Sequence, residues 1–106
     1  PRDVSTLRDA LRTIALPQSP LAAPMLVVSG DRDGVVLEPW VRFAVTASCA
    51  LGGTIDYVRI ADANHQNVLA KAAPGVGVWI GDRFAGTQAP SNCSTRSVAQ
   101  ADGPGR

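Results

Sequence analysis

MLVVSGDRD at residues 25–33 and TIDYVRIADANH at residues 54–65 decide the architecture. Met25 to Ser29 is a short apolar run closed by Gly30, the pattern of a strand buried on both faces of a parallel sheet. Thr54 to Ile60 is rich in β-branched and aromatic residues and predicts a second strand. Between them, Glu38-Pro39 opens a helix, with Pro and an acid both favoured in a first turn. Val41, Ala44, Val45 and Ser48 give that helix a small-residue face, and Gly52-Gly53 ends it. Strand, helix and strand in this order imply a parallel pair joined by a right-handed crossover.

Working outward, Val4, Leu7, Leu11 and Ile14 recur at spacings of three and four, with Arg8, Asp9 and Arg12 between them. This predicts an amphipathic helix stopped by Pro17. Residues 17–24, PQSPLAAP, form a Pro-rich connector. Past the second strand, Ala61 to Gln66 read as a loop and Asn67 to Ala73 as a short helical turn. Pro74-Gly75 is expected to break that turn and open a last helix, with Val76, Trp79, Ile80 and Phe84 on one face. Gly75, Gly77 and Gly81 each weaken that helix by about 1 kcal/mol relative to Ala. The chain thus divides into an α/β part, 1–86, and a polar tail, 87–106, expected to be ordered to about Cys93. Asn92-Cys93-Ser94 matches the glycosylation sequon, a pattern too short to carry weight. Two strands cannot make a stable doubly covered sheet, so the segment is expected to belong to a larger α/β sheet.

Composition narrows the function classes. The chain has 106 residues, 45% of them apolar, and a net charge of +1, so one domain at most is expected. Its basic residues are scattered and aromatics make up only 5%, which does not suggest a nucleic-acid surface. No apolar run approaches a membrane span. Two cysteines, Cys49 and Cys93, can form one bridge or remain buried thiols, and count alone does not decide between them.

The chemistry is expected at the carboxyl ends of the strands, where parallel α/β sheets gather functional groups. Asp31, Arg32 and Asp33 follow the first strand. Asp62, Asn64 and His65 follow the second, and adjacent parallel strands bring the two loops together. His65 is the only histidine. An Asp accepting from one imidazole nitrogen fixes the tautomer and leaves the other nitrogen free to act as a base. The plainer alternative is that the Asp caps its own turn and the His is an ordinary surface residue. Residues 26–36 also contain D-x-D-G-V-V after an apolar strand, which looks like the first motif of Mg²⁺-dependent haloacid-dehalogenase-type phosphatases, with Asp31 as nucleophile. Ser29-Gly30 intervenes, Lys71 is the only lysine, and no downstream acidic pair follows, so this is the weaker alternative. No G-x-G-x-x-G follows either strand, and Asp31, Asp33, Asp62 and His65 follow no zinc-ligand spacing. No cofactor or metal is expected.

Residues 23–36, APMLVVSGDRDGVV, resemble the strand-G-x-x-D segment that carries the acid of α/β-hydrolases, with Gly30 and Asp33 in register. Residues 57–69, YVRIADANHQNVL, resemble the following strand and the loop of the catalytic His. Residues 76–93, VGVWIGDRFAGTQAPSNC, look like the closing helix and Cys-containing end of actinobacterial secretory lipases, the group related to Candida lipase A. The resemblance covers residues 23–93, about two-thirds of the chain. It implies a partial α/β-hydrolase fold, the last two parallel strands with flanking helices. It also implies a secreted enzyme acting on carboxylic esters or lipids, Asp33 and His65 as catalytic residues, and a Cys49–Cys93 disulfide. No G-x-S-x-G elbow occurs, and Ser48 has no Gly two residues before it. The nucleophile is therefore expected on an upstream portion, and this chain alone is expected to be inactive. A truncated, non-catalytic hydrolase-like domain is the alternative.

Overall fold

A computed structural model describes residues 2–94, apart from the side chain of Arg2; residues 95–106, which hold most of the expected disordered tail, lie outside them. The elements are α1 (Arg2–Ile14), β1 (Met25–Gly30), α2 (Glu38–Ala50), β2 (Ile55–Ile60) and α3 (Val68–Phe84). β1 and β2 form a two-stranded parallel sheet in full register, from Met25 opposite Ile55 to Gly30 opposite Ile60. The chain is a mixed α/β fold of three helices and this parallel pair.

Alternation along each strand sends successive side chains to opposite faces, and each face receives one helix. Val45 of α2 packs with Ile55 and Tyr57, flanked by Leu21, Val27, Val41, Cys49 and Cys93. Ala72 of α3 packs with Ile60 and Ala63, flanked by Val28, Val58, Val68 and Val76. Ile55 and Tyr57 are the largest fully buried side chains, and burying an Ile or aromatic side chain contributes about 2–3 kcal/mol. β1 is less buried than its apolar run predicts. Met25 is exposed and Leu26 to Val28 are half-buried; among the described residues no strand flanks the outer edge of β1.

α1 has the predicted amphipathic pattern, but its apolar stripe of Val4, Leu7, Leu11 and Ile14 remains exposed. The expected helix break at Pro74 does not occur: α3 runs through it. Proline lacks the N–H that would bond one turn back, which costs about 3 kcal/mol in a helix interior. Here Ala72 and Val76, on either side of Pro74, both pack on the Ile60–Ala63 cluster, and Pro74 itself faces solvent. Packing of both halves on the same sheet face outweighs the local break.

Cys49, at the end of α2, is bonded to Cys93, with a Cα–Cα distance of 5.3 Å. That bond closes a long loop and contributes about 4 kcal/mol on the chain-entropy account. It holds residues 91–93 along the outer edge of β2. Asn92 donates its backbone N–H to Ile55 O (2.9 Å). The Asn92 side chain accepts from Tyr57 N and donates to Tyr57 O, both at 2.8 Å. The Ser91 hydroxyl accepts from Ile55 N (3.3 Å). The sequon asparagine is thus a buried surrogate strand residue, with both ends of its amide occupied.

Candidate functional site

The two loops that follow β1 and β2 meet because the strands end in register. Gly30 makes the meeting possible: a Cβ there would lie 2.3 Å from Ala63 O. Across this close approach Asp31 N bonds Ile60 O (3.1 Å) and Arg32 N bonds Ala63 O (2.9 Å). Asp62 adopts a left-handed φ of 57°, a conformation Asp tolerates better than most residues, and turns the chain after β2. An Arg32–Asp62 ion pair (3.0 Å) joins the loops on the solvent side, where it is exposed and worth little by itself. Lys71 donates to Asp62 O from the first turn of α3 (3.1 Å).

Asp33 divides its carboxylate between two tasks. Oδ1 accepts from the backbone N–H groups of Val35 and Val36, both at 2.9 Å. Oδ2 lies 3.1 Å from Nδ1 of His65. The turn-capping role and the His-orienting role, which are alternatives in the sequence, are filled by the same side chain. Desolvation pulls the Asp33 pKa upward, but the hydrogen bonds from Val36 and Val35 and the contact with His65 outweigh it, and the net shift is downward. Asp33 is therefore an anion at neutral pH, which suits an acceptor for an imidazole N–H.

The His65 loop is shaped by its own side-chain caps. Asn64 Oδ1 accepts from Gln66 N (2.9 Å) and Asn67 N (3.0 Å), and Asn67 Oδ1 accepts from Asn64 N (2.8 Å). His65 sits between these two asparagines with its ring about half exposed, while the Asp33 side chain beside it is only 8% exposed. With Nδ1 turned to Asp33, Nε2 has no hydrogen-bond partner among the described residues. The pair is an imidazole oriented through Nδ1 on a half-exposed ring.

The other ionisable residues do not join the pair. Asp31 is exposed, and Asp62 is turned to Arg32. Among the described residues, no three His, Cys, Asp or Glu side chains are placed to hold a metal ion. Two apolar grooves of ≈ 310 and ≈ 430 Å³ lie on the α3 and α2 faces of the sheet, and neither is lined by Asp33 or His65. No described helix is long and apolar enough to cross a membrane.

A second polar cluster was not anticipated from the sequence. Tyr57 Oη donates to Glu38 Oε2 (3.1 Å) and lies 2.8 Å from Ser29 Oγ. Glu38 also faces Arg42 Nε and Arg59 Nη1, each at 3.6 Å. Ser29, Tyr57 and Glu38 are all buried. Read locally, Glu38 is a first-turn acid, Tyr57 a strand aromatic and Ser29 the end of an apolar run. The one available signal is a serine at the buried end of a strand, where a hydroxyl needs a partner. Comparison with protein-family models, curated proteins and solved structures returned no match.

Proposed function

We propose that Asp33 and His65 are the acid and base of a Ser-His-Asp carboxylic-ester hydrolase of the α/β type, with the nucleophilic serine supplied by polypeptide outside these 106 residues. The supporting observation is the Asp33 Oδ2–His65 Nδ1 contact at 3.1 Å between loops that follow adjacent parallel strands. With the imidazole proton held on Nδ1, Nε2 takes the proton of the serine hydroxyl as that oxygen attacks the ester carbonyl. It then delivers the proton to the departing alkoxide, which leaves as the alcohol. Asp33 remains ionised throughout and stabilises the imidazolium. The substrate class is a carboxylic ester or lipid. The disulfide is compatible with a secreted protein in an oxidising compartment.

Expression of the whole reading frame that contains these residues tests the reading. It should turn over a short-chain p-nitrophenyl ester, and Asp33→Asn should lower kcat roughly ten-thousand-fold. The 106-residue chain alone should show no turnover. Steady turnover by the chain alone, lost on His65→Ala, would mean that the nucleophile lies within it. A reading frame without an elbow serine, or turnover indifferent to His65→Ala, would leave the non-catalytic reading in its place.

A further inference from the structure

We infer that Tyr57 is a positioning residue for Asp33, its hydroxyl tying together the two ends of the loop that carries the carboxylate. The inference deepens the proposed function and rests on it. Asp33 lies in the segment 31–37, which leaves β1 after Ser29-Gly30 and enters α2 at Glu38. The Tyr57 hydroxyl, from the middle of β2, contacts Ser29 before that segment and Glu38 after it.

The direction of the hydrogen bonds follows from the groups. An ionised Glu38 accepts only, so Tyr57 donates its single proton there, and the Ser29 hydroxyl donates to Tyr57. The chain runs Ser29 O–H to Tyr57 O–H to the Glu38 carboxylate, which faces two arginines. Desolvation pushes the Tyr57 hydroxyl up to about 12, so it remains a donor across the working pH range. Within the loop, Asp33 Oδ1 fixes the turn through Val35 and Val36. The turn is therefore hydrogen-bonded inside and anchored at both ends, which favours the placement of Oδ2 toward His65.

A purely space-filling role would need only the ring. Tyr57 packs with Val45 and Ile55, an environment a phenylalanine would fill as well. Burying a carboxylate and a phenol is costly unless every partner is in place, and such networks are best attested where they set geometry.

The chain has one histidine, so the imidazole nitrogen spectrum of the ¹⁵N-labelled full chain reports His65 alone. Wild type should show the tautomer protonated on Nδ1, and Asp33→Asn should lose that preference. Tyr57→Phe should weaken the tautomer preference roughly fivefold, the size of one net hydrogen bond, and Ser29→Ala should move it less in the same direction. Val45→Ala, which loosens the same core without touching the network, should leave the spectrum as in wild type. If Tyr57→Phe and Ser29→Ala both keep the wild-type spectrum while Asp33→Asn changes it, the inference is overturned and the Asp33–His65 pair stands. If Asp33→Asn changes nothing, the pair itself fails, and the proposed function with it. An effect of Val45→Ala as large as that of Tyr57→Phe would reduce Tyr57 to general packing and overturn the inference. Should circular dichroism find Tyr57→Phe unfolded, Ser29→Ala decides by the same criterion.

Discussion

β1 and β2 are each six residues long and pair along their whole length, yet their outer edges are finished in different ways. The edge of β2 is covered by residues 91–93, with Asn92 bonding the backbone of Ile55 and Tyr57 and Cys93 tied to α2. The edge of β1 faces no strand among the described residues. Its side chains are apolar apart from the buried Ser29, and it carries none of the charges, prolines or bulges that blunt an exposed edge. The difference teaches which way the sheet is built. One side is closed by the chain itself, and the other has the composition of an interior strand. That fits a partial α/β fold, and under the proposed function a further strand would pair at the edge of β1.

Cutting the covered edge loose should have the largest effect. Cys93→Ser, or reduction of the bond, should lower unfolding free energy by about 4 kcal/mol. Urea unfolding with and without reductant measures it. If the midpoint barely moves, the edge is held by the hydrogen bonds of Ser91 and Asn92, and the contrast between the edges owes nothing to the disulfide.

Gly30→Ala strikes where the two strands end together. Its Cβ would lie 2.3 Å from a backbone oxygen, Ala63 O, which cannot swing aside as a side chain could. The expected cost is about 3 kcal/mol, the upper range for overpacking. The loops should separate, and the His65 imidazole spectrum should take on the character of Asp33→Asn. Retention of both stability and the paired spectrum would show that the close approach at Gly30 is not what brings the loops together.

Asn92→Ala removes both side-chain bonds to Tyr57 while keeping the disulfide. Leaving that backbone N–H and C=O unpaired should cost about 2 kcal/mol. The same denaturation experiment, compared with Cys93→Ser, separates the tether from the hydrogen bonds it positions.

The sequence made the frame of the molecule legible, along with the two residues that carry the proposed chemistry. The order of elements, the parallel pairing and the placement of Asp33 and His65 follow from period, turn residues and strand ends, all of which are local or nearly so. The choice of Asp33 over Asp31 rests on the hydrolase-like G-x-x-D spacing from Gly30; in the structure it is Asp33 that caps its own turn, at Val35 and Val36. Three features were not legible because they depend on contacts across the fold. Pro74 stays within α3 because Ala72 and Val76 pack on the sheet beside it. Asn92 becomes a strand surrogate only once β2 presents an edge. Ser29, Tyr57 and Glu38 are 28 and 19 residues apart along the chain, and no spacing rule joins them.

The smallest effect is a local one, and it probes the two edges without altering either. Met25 N bonds Thr54 O and Asp31 N bonds Ile60 O, so the odd-numbered amides of β1 point toward β2. Alternation then turns the N–H groups of Leu26 and Val28 to the open edge. On the other strand, the outward amide of Tyr57 is bonded to Asn92. Amide hydrogen exchange followed by NMR should find Val28 exchanging roughly a hundredfold faster than Tyr57, since an edge amide needs no cooperative opening to meet water. Equal protection would mean that the β1 edge is covered in solution. Dilution then separates the two ways of covering it: a second copy would leave as the chain is diluted, whereas a segment of the same chain would not. Either result fixes which edge of this sheet is its boundary, because a strand edge that stays dry at every concentration cannot be the side at which a further strand would pair.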